Sequence, residues 1–226
     1  MANFTKHKFS DSYIEKSCKP SDYFPIYDKI FANNNIDRLS KYTILEIGVS
    51  LGCGLRALKK HFPNSLIVGL DILPNCKQYE EENIEIIIGS QIDRRIHFEL
   101  NKYKFDIIID DGSHLNNDVY YTFEKLFPSL NINTGLYIIE DIHTSYWPYY
   151  NGGYKKPDST IEKFKNLIDY QNAWCIRDPI DCHIPPYKGT DFTKTYYEEW
   201  LEFIQFYENI IVIKKRENKA KCMKPT

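Results

Sequence analysis

The chain has 226 residues and a formal net charge of -2, enough for one full core and too short for a second complete domain. So small a charge excludes the broad basic field that nucleic acid or an anionic membrane calls for, and no apolar run approaches the roughly 20 residues of a membrane-spanning helix. The six cysteines lack CxxC spacing, so neither a zinc site nor a disulfide framework is expected, and the expected location is a reducing cytoplasm. MANFTKHKFSDSY at the start has no apolar stretch of the signal-peptide kind.

Residues 1–40 are polar and aromatic-rich, and KPSDYFPIYDKIF predicts a loop followed by a short amphipathic helix. Sequence physics alone favours a solvated arm here over a lid. TILEI (43–47) is a compact strand feeding GVSLGCG, and LRALKKHF continues as a helix that stops before Pro63. SLIVGLD and IEIIIGS are further strands, IDRRIHFELNKY is a helix, and FDIIIDD is the central strand. NNDVYYTFEKLF is helical up to Pro128, and TGLYIIED is a fifth strand ending in two acids. HTSYWPYYNGGYKKPDS is too long for a simple connection and is a candidate binding loop. IEKFKNLIDYQN is helical, CIRDPIDCHIPPYKGTDF is irregular, and EFIQFYENIIVIKK folds back at Glu208-Asn209 as an edge hairpin. The pattern predicts an α/β fold: a Rossmann-like, mostly parallel sheet with helices on both faces and an antiparallel C-terminal hairpin.

The polar residues of interest fall at the carboxyl ends of these strands, where such sheets collect ligands. In the first turn, Glu46 precedes Gly48, Ser50, Gly52 and Gly54. Glycines let a ligand approach the backbone, and a helix N-terminus offers unpaired N–H groups. The acid before the loop would repel a pyrophosphate and attract an ammonium or sulfonium, and the spacing is not GxGxxG. Asp71 is placed to accept from ribose hydroxyls, and Ser90 and Gln91 stand where an adenine edge is read. Together these residues describe S-adenosylmethionine. In FDIIIDDGSH the buried strand runs into Asp110 and Asp111, with His114 three residues on. Paired carboxylates beside an imidazole suit a divalent cation and a general base. Because side chains alternate along a strand, Asp110 is opposite Asp111 and is assigned to the cofactor side.

LEIGVSLGCGLRAL, FPNSLIVGLDI, IIIGSQID, FDIIIDDGSH, FEKLFPSL, GLYIIEDIHTSYW and FYENIIVIKK resemble the metal-dependent sugar O-methyltransferases of macrolide tailoring. The resemblance runs from about Ile44 to Lys215. It implies a class I methyltransferase domain over 43–226 and an arm over 1–42 that closes on the cofactor, within one domain overall. Carried over residue by residue, it implies Asp111, Glu140 and Asp141 as Mg²⁺ ligands and His114 as the base, with His143 the competing base. Tyr146 and Trp147 become an apolar wall for a sugar ring. An imidazole titrates near ~6.5 in model peptides, which suits proton removal from a coordinated hydroxyl near neutral pH. Cys53 in the glycine loop and the loop at 175–192 depart from the family pattern.

The implied acceptor is a sugar hydroxyl, free, nucleotide-linked or on a glycoconjugate. A catechol-like or other small diol is the alternative, and further ones are an NAD-dependent oxidoreductase and a non-catalytic module that kept the fold. No nucleic acid and no membrane partner is expected, and an aromatic arm reaching a neighbour's site would make a homo-oligomer.

Overall fold

The computed structural model describes residues 8–12, 19–172 and 196–217. Helix α1 (Tyr23–Asn33) precedes strand β1 (Thr43–Ile47), α2 (Cys53–His61), β2 (Leu66–Asp71) and β3 (Ile84–Ile88). Then come α3 (Arg94–Leu100), β4 (Ile107–Asp110), α4 (Asn116–Leu126), β5 (Leu136–Ile139), α5 (Thr160–Asn172), α6 (Tyr196–Trp200), β6 (Leu201–Tyr207) and β7 (Ile210–Lys215). The sheet runs β3-β2-β1-β4-β5-β7-β6. The first five strands pair in parallel, and β7 pairs antiparallel with both β5 and β6. The α/β expectation and the terminal hairpin are both found.

The inner strands are apolar along their whole length because both faces are covered. Strand alternation sorts their side chains into two cores. Ile44, Ile67, Ile107, Ile109 and Ile138 pack toward α1 and α2. Leu45, Val68, Ile108, Tyr137 and Ile139 pack toward α4 and α5. Continuing the same alternation puts Glu46, Asp111 and Glu140 on the α1/α2 face and Asp110 on the other. The chain works outward from β1 in one direction and from β4 in the other, so the crevice beyond their carboxyl ends is the topological switch point.

Three elements differ from expectation. α1 is no solvated arm: Tyr23, Phe24, Tyr27, Ile30 and Phe31 are buried in the first core, a stripe at helical spacing that Pro20 before the helix and Pro25 in its first turn obscured. A 3-10 helix at Pro74–Tyr79 and the five-residue α6 are too short to leave a periodic signal. The irregular segment expected at 175–192 lies outside the described residues. Among the described residues no helix is long and apolar enough to cross a membrane.

Candidate active site

Two strand-to-loop junctions meet backbone to backbone at the switch point. The Asp111 N–H donates to the Ile47 carbonyl at 2.9 Å and the Gly48 N–H to the Leu70 carbonyl at 2.8 Å. Gly48 has φ +93, and a Cβ there would run into the Asp111 carbonyl. Only glycine allows the loops after β1 and β4 to touch in this way. Gly48→Ala is expected to cost about 1–3 kcal/mol, read as a lower urea midpoint; an unchanged midpoint would show that the loops can part without loss.

Glu46 is buried, and its Oε2 has no hydrogen-bond partner. Gly54, in the first turn of α2, makes room for it, since a Cβ there would strike the carboxylate. Burial pushes the Glu46 carboxyl up to about 8, against the opposing pull of Lys19. A cavity of about 190 Å³ opens here, lined by Lys19, Glu46, Gly48, Ser50, Gly54 and Asp111 among others. Across Gly48 lies a second of about 330 Å³, whose walls include Asp71, Ser90, Gln91, Ser113 and Asp118. The Ser50 N–H, on a residue with φ 48, donates to Asp71 Oδ2 at 2.8 Å, and the Leu73 N–H donates to Asp71 Oδ1 at 2.8 Å. Gly52 is the left-handed N-cap of α2 and faces the Tyr79 ring.

Two expected cofactor contacts are placed differently. Asp110 lines neither cavity; it is buried on the α4 face, accepting from Tyr137 Oη at 3.2 Å and the Gly112 N–H at 3.4 Å. Burial pushes its carboxyl up to about 7. The two aspartates do lie on opposite faces, but it is Asp111 that shares the face of the glycine loop. Gln91 borders the larger cavity, yet its amide is engaged within the protein. Nε2 donates to Thr122 Oγ1 at 3.1 Å and toward Asp110 at 3.4 Å, while Oε1 accepts from the Ser113 N–H at 2.7 Å. It props the turn that carries His114.

Asp111, His114 and Asp141 each offer one ligand atom within 4.8 Å of the others. His114 Nε2 lies 3.9 Å from Asp111 Oδ1 and 3.7 Å from Asp141 Oδ2. His114 (φ 56) and Asp141 (φ 55) both hold left-handed backbone, a conformation that costs non-glycine residues energy and collects at functional sites. Glu140, the third expected ligand, is buried with both oxygens engaged: Tyr27 Oη donates to Oε1 and Lys19 Nζ to Oε2, the latter at 2.6 Å. Burial and then the Asp111 charge push its carboxyl upward. Tyr23 Oη donates to Asp141 Oδ1. Two helix-spaced tyrosines of α1 thus hold the two acids after β5, a pairing that DYFPIYD carries as an i, i+4 repeat.

His143 stands apart from that group, edge-on to Trp147 with ring centroids 4.9 Å apart, and its buried Nδ1 has no partner. Tyr146 and Trp147 are about half exposed, at 43% and 50%. Tyr150, not singled out in the sequence, connects them to His114: its ring centroid is 6.1 Å from Trp147 and 6.2 Å from His114. Asn116 anchors this loop, donating from Nδ2 to the Tyr150 carbonyl at 2.7 Å and accepting from the Thr160 N–H at 2.5 Å.

The strand order and the groove at its switch point define a Rossmann-like fold of the class I, S-adenosylmethionine-dependent methyltransferases. The chain's homologues are sugar O-methyltransferases of macrolide and related tailoring. Mycinamicin VI 2''-O-methyltransferase of Micromonospora griseorubida is 38% identical over 160 residues, covering 65% of this chain and 39% of that protein. Demethylmacrocin O-methyltransferase of Streptomyces fradiae is 37% identical over 159 residues, with the same coverage of 65% and 39%. The crystal structure of the methyltransferase MycE with Mg and S-adenosylhomocysteine superposes with a TM-score of 0.77 at 29% identity, covering 95% of this chain and 55% of that one. The chain therefore spans about two-fifths of the length of these curated relatives. No protein-family model matches it.

Proposed function

We propose that the chain is a Mg²⁺- and S-adenosylmethionine-dependent O-methyltransferase acting on a hydroxyl of a sugar or glycoconjugate. The observation that carries this reading is the meeting of Asp111, His114 and Asp141, from two strand tips, beside a cavity that holds an unpaired buried Glu46 oxygen. The orphan oxygen fits the ammonium of the cofactor's amino-acid tail, and hard carboxylate donors fit Mg²⁺. MycE, the structural relative, is complexed with Mg and S-adenosylhomocysteine, and in a further crystal with mycinamycin VI as well.

When bound, S-adenosylmethionine supplies the electrophilic methyl and Mg²⁺ the charge that acidifies an acceptor hydroxyl. The chain's residues do the rest. Glu46 pairs with the cofactor's ammonium, and Asp71 accepts from its ribose hydroxyls. Gly48 and Ser50 bring backbone against it, and Ser90 borders the adenine. Asp111 and Asp141 hold the ion, with Glu140 behind them. His114 removes the acceptor proton at Nε2, and Tyr146, Trp147 and Tyr150 shield the sugar ring from water. Most of the rate gain comes from holding two reactants in line. His143, turned toward Trp147, serves the acceptor rather than the proton.

Residues 1–42 act as a lid in this reading, because α1 supplies the hydroxyls that fix Glu140 and Asp141. A cytoplasmic location belongs to the same reading. The sugar acceptor is favoured over a catechol by the relatives' substrates. The same relatives leave no support for the oxidoreductase alternative.

Chelation tests the metal half. EDTA is expected to reduce methyl transfer to glycosylated acceptors at least ~100-fold, with Mg²⁺ restoring it and S-adenosylhomocysteine still binding. Undiminished turnover in EDTA would remove the ion from the mechanism.

A further inference from the structure

Lys19, the first residue of KPSDYFPIYDKIF, has no role assigned to it from the sequence, yet it lies at the centre of the site. Its ammonium is 2.7 Å from Asp111 Oδ2 and 2.6 Å from Glu140 Oε2, with the side chain only 6% exposed. Four residues on, α1 begins its own contacts with the acids after β5, Tyr23 to Asp141 and Tyr27 to Glu140, the latter shared with Lys19. Glu46, Asp111 and Glu140 gather around the Lys19 ammonium, and Asp141 stands beside Asp111 across His114. Clustered carboxylates need a counter-charge when water is excluded, and an ammonium bonded to two of them provides it.

We propose that Lys19 is the resident counter-cation of the metal site: it holds Asp111 and Glu140 together and leaves Asp111 when a divalent cation binds. The inference rests on the metal reading above and deepens it. Asp111 is shared. Its Oδ2 faces Lys19 and its Oδ1 faces His114 and Asp141. An ion bound between Asp111 and Asp141, beside His114, would stand a few ångströms from the ammonium, where the two like charges repel. Ion binding and the position of the segment entering α1 are therefore linked, and linkage is reciprocal. An ion-loaded site releases Lys19, while a Lys19-filled site resists the ion.

Two measurements on the full chain test this, with Mn²⁺ as the probe. Free-Mn²⁺ electron paramagnetic resonance titrations should show Lys19→Met binding Mn²⁺ about tenfold more tightly than the native protein, within the usual range of site-to-site coupling. Lys19→Arg, which keeps the charge, should bind no more tightly than the native protein. Equal or weaker binding by Lys19→Met would overturn the proposal. The second measurement needs no variant: a brief acetic anhydride pulse, read by mass spectrometry at Lys19, should modify it several-fold faster at saturating Mn²⁺. Mn²⁺ binding with Lys19 labelling unchanged or slowed would overturn the displacement and leave the metal reading intact. No Mn²⁺ binding by native protein or Lys19→Met would overturn both.

Discussion

Replacing His114 with alanine is expected to slow methyl transfer by about 10²- to 10⁴-fold, the usual contribution of a positioned general base, while S-adenosylhomocysteine binds as before. The geometry behind this is specific. His114 leaves β4 in a left-handed conformation that turns its ring back over the strand tips, and Nε2 ends up 3.7–3.9 Å from the free oxygens of Asp141 and Asp111. A base must lie within reach of the hydroxyl that the ion activates. A ring this close to both carboxylates could also serve as a ligand, and the two roles separate cleanly by experiment. If His114 is the base, the alanine variant keeps Mn²⁺ affinity and loses turnover. If it is a ligand, affinity falls along with rate. The expected result is the first, and His143→Ala should have a much smaller effect on rate, because its ring packs against Trp147.

The second large effect belongs to Glu46. Glu46→Gln keeps the shape and removes the charge, so S-adenosylhomocysteine affinity should fall about 10- to 100-fold, the value of a hydrogen bond to a charged group. The pH dependence follows from burial. The Glu46 carboxyl is pushed up to about 8 in the free protein, so near pH 6 it is protonated and must lose that proton to pair with an ammonium. Affinity should therefore rise from pH 6 to pH 8 and then level, and in Glu46→Gln the rise should be absent. The stability sign is opposite. The folded value lies above the unfolded one, so the folded state binds the extra proton, and Glu46's contribution is complete below about 4.5 and lost as pH rises through about 8. The melting temperature of the free protein should drop over that interval, less steeply in Glu46→Gln. Calorimetric titration and thermal scans read the two trends, and a flat affinity profile would mean that Glu46 does not face the cofactor.

Much of the fold was legible because parallel strands buried on both faces leave long β-branched runs, as in IEIII and IIID, that few other structures demand. Strand tips were legible too: an acid ending such a run has to emerge at the carboxyl edge, which located Glu46, Asp71, Asp111 and Glu140. Long-range contacts were not. Nothing local indicates that Lys19 meets Glu140, 121 positions away, or that α1 packs on the acids after β5. Gln91 shows the same limit: its position at the end of β3 suggested adenine, whereas the fold brings Thr122 and Ser113 within reach of its amide. Left-handed backbone at His114 and Asp141 was invisible as well, since such residues are chosen by surroundings rather than by propensity.

The most direct test of the account is anomalous diffraction from a crystal grown with Mn²⁺ and S-adenosylhomocysteine. A single manganese peak bridging Asp111 and Asp141, with the cofactor's amino group on Glu46, is the predicted result. A crystal with the cofactor bound and no peak at those carboxylates, or with the peak elsewhere, would contradict it.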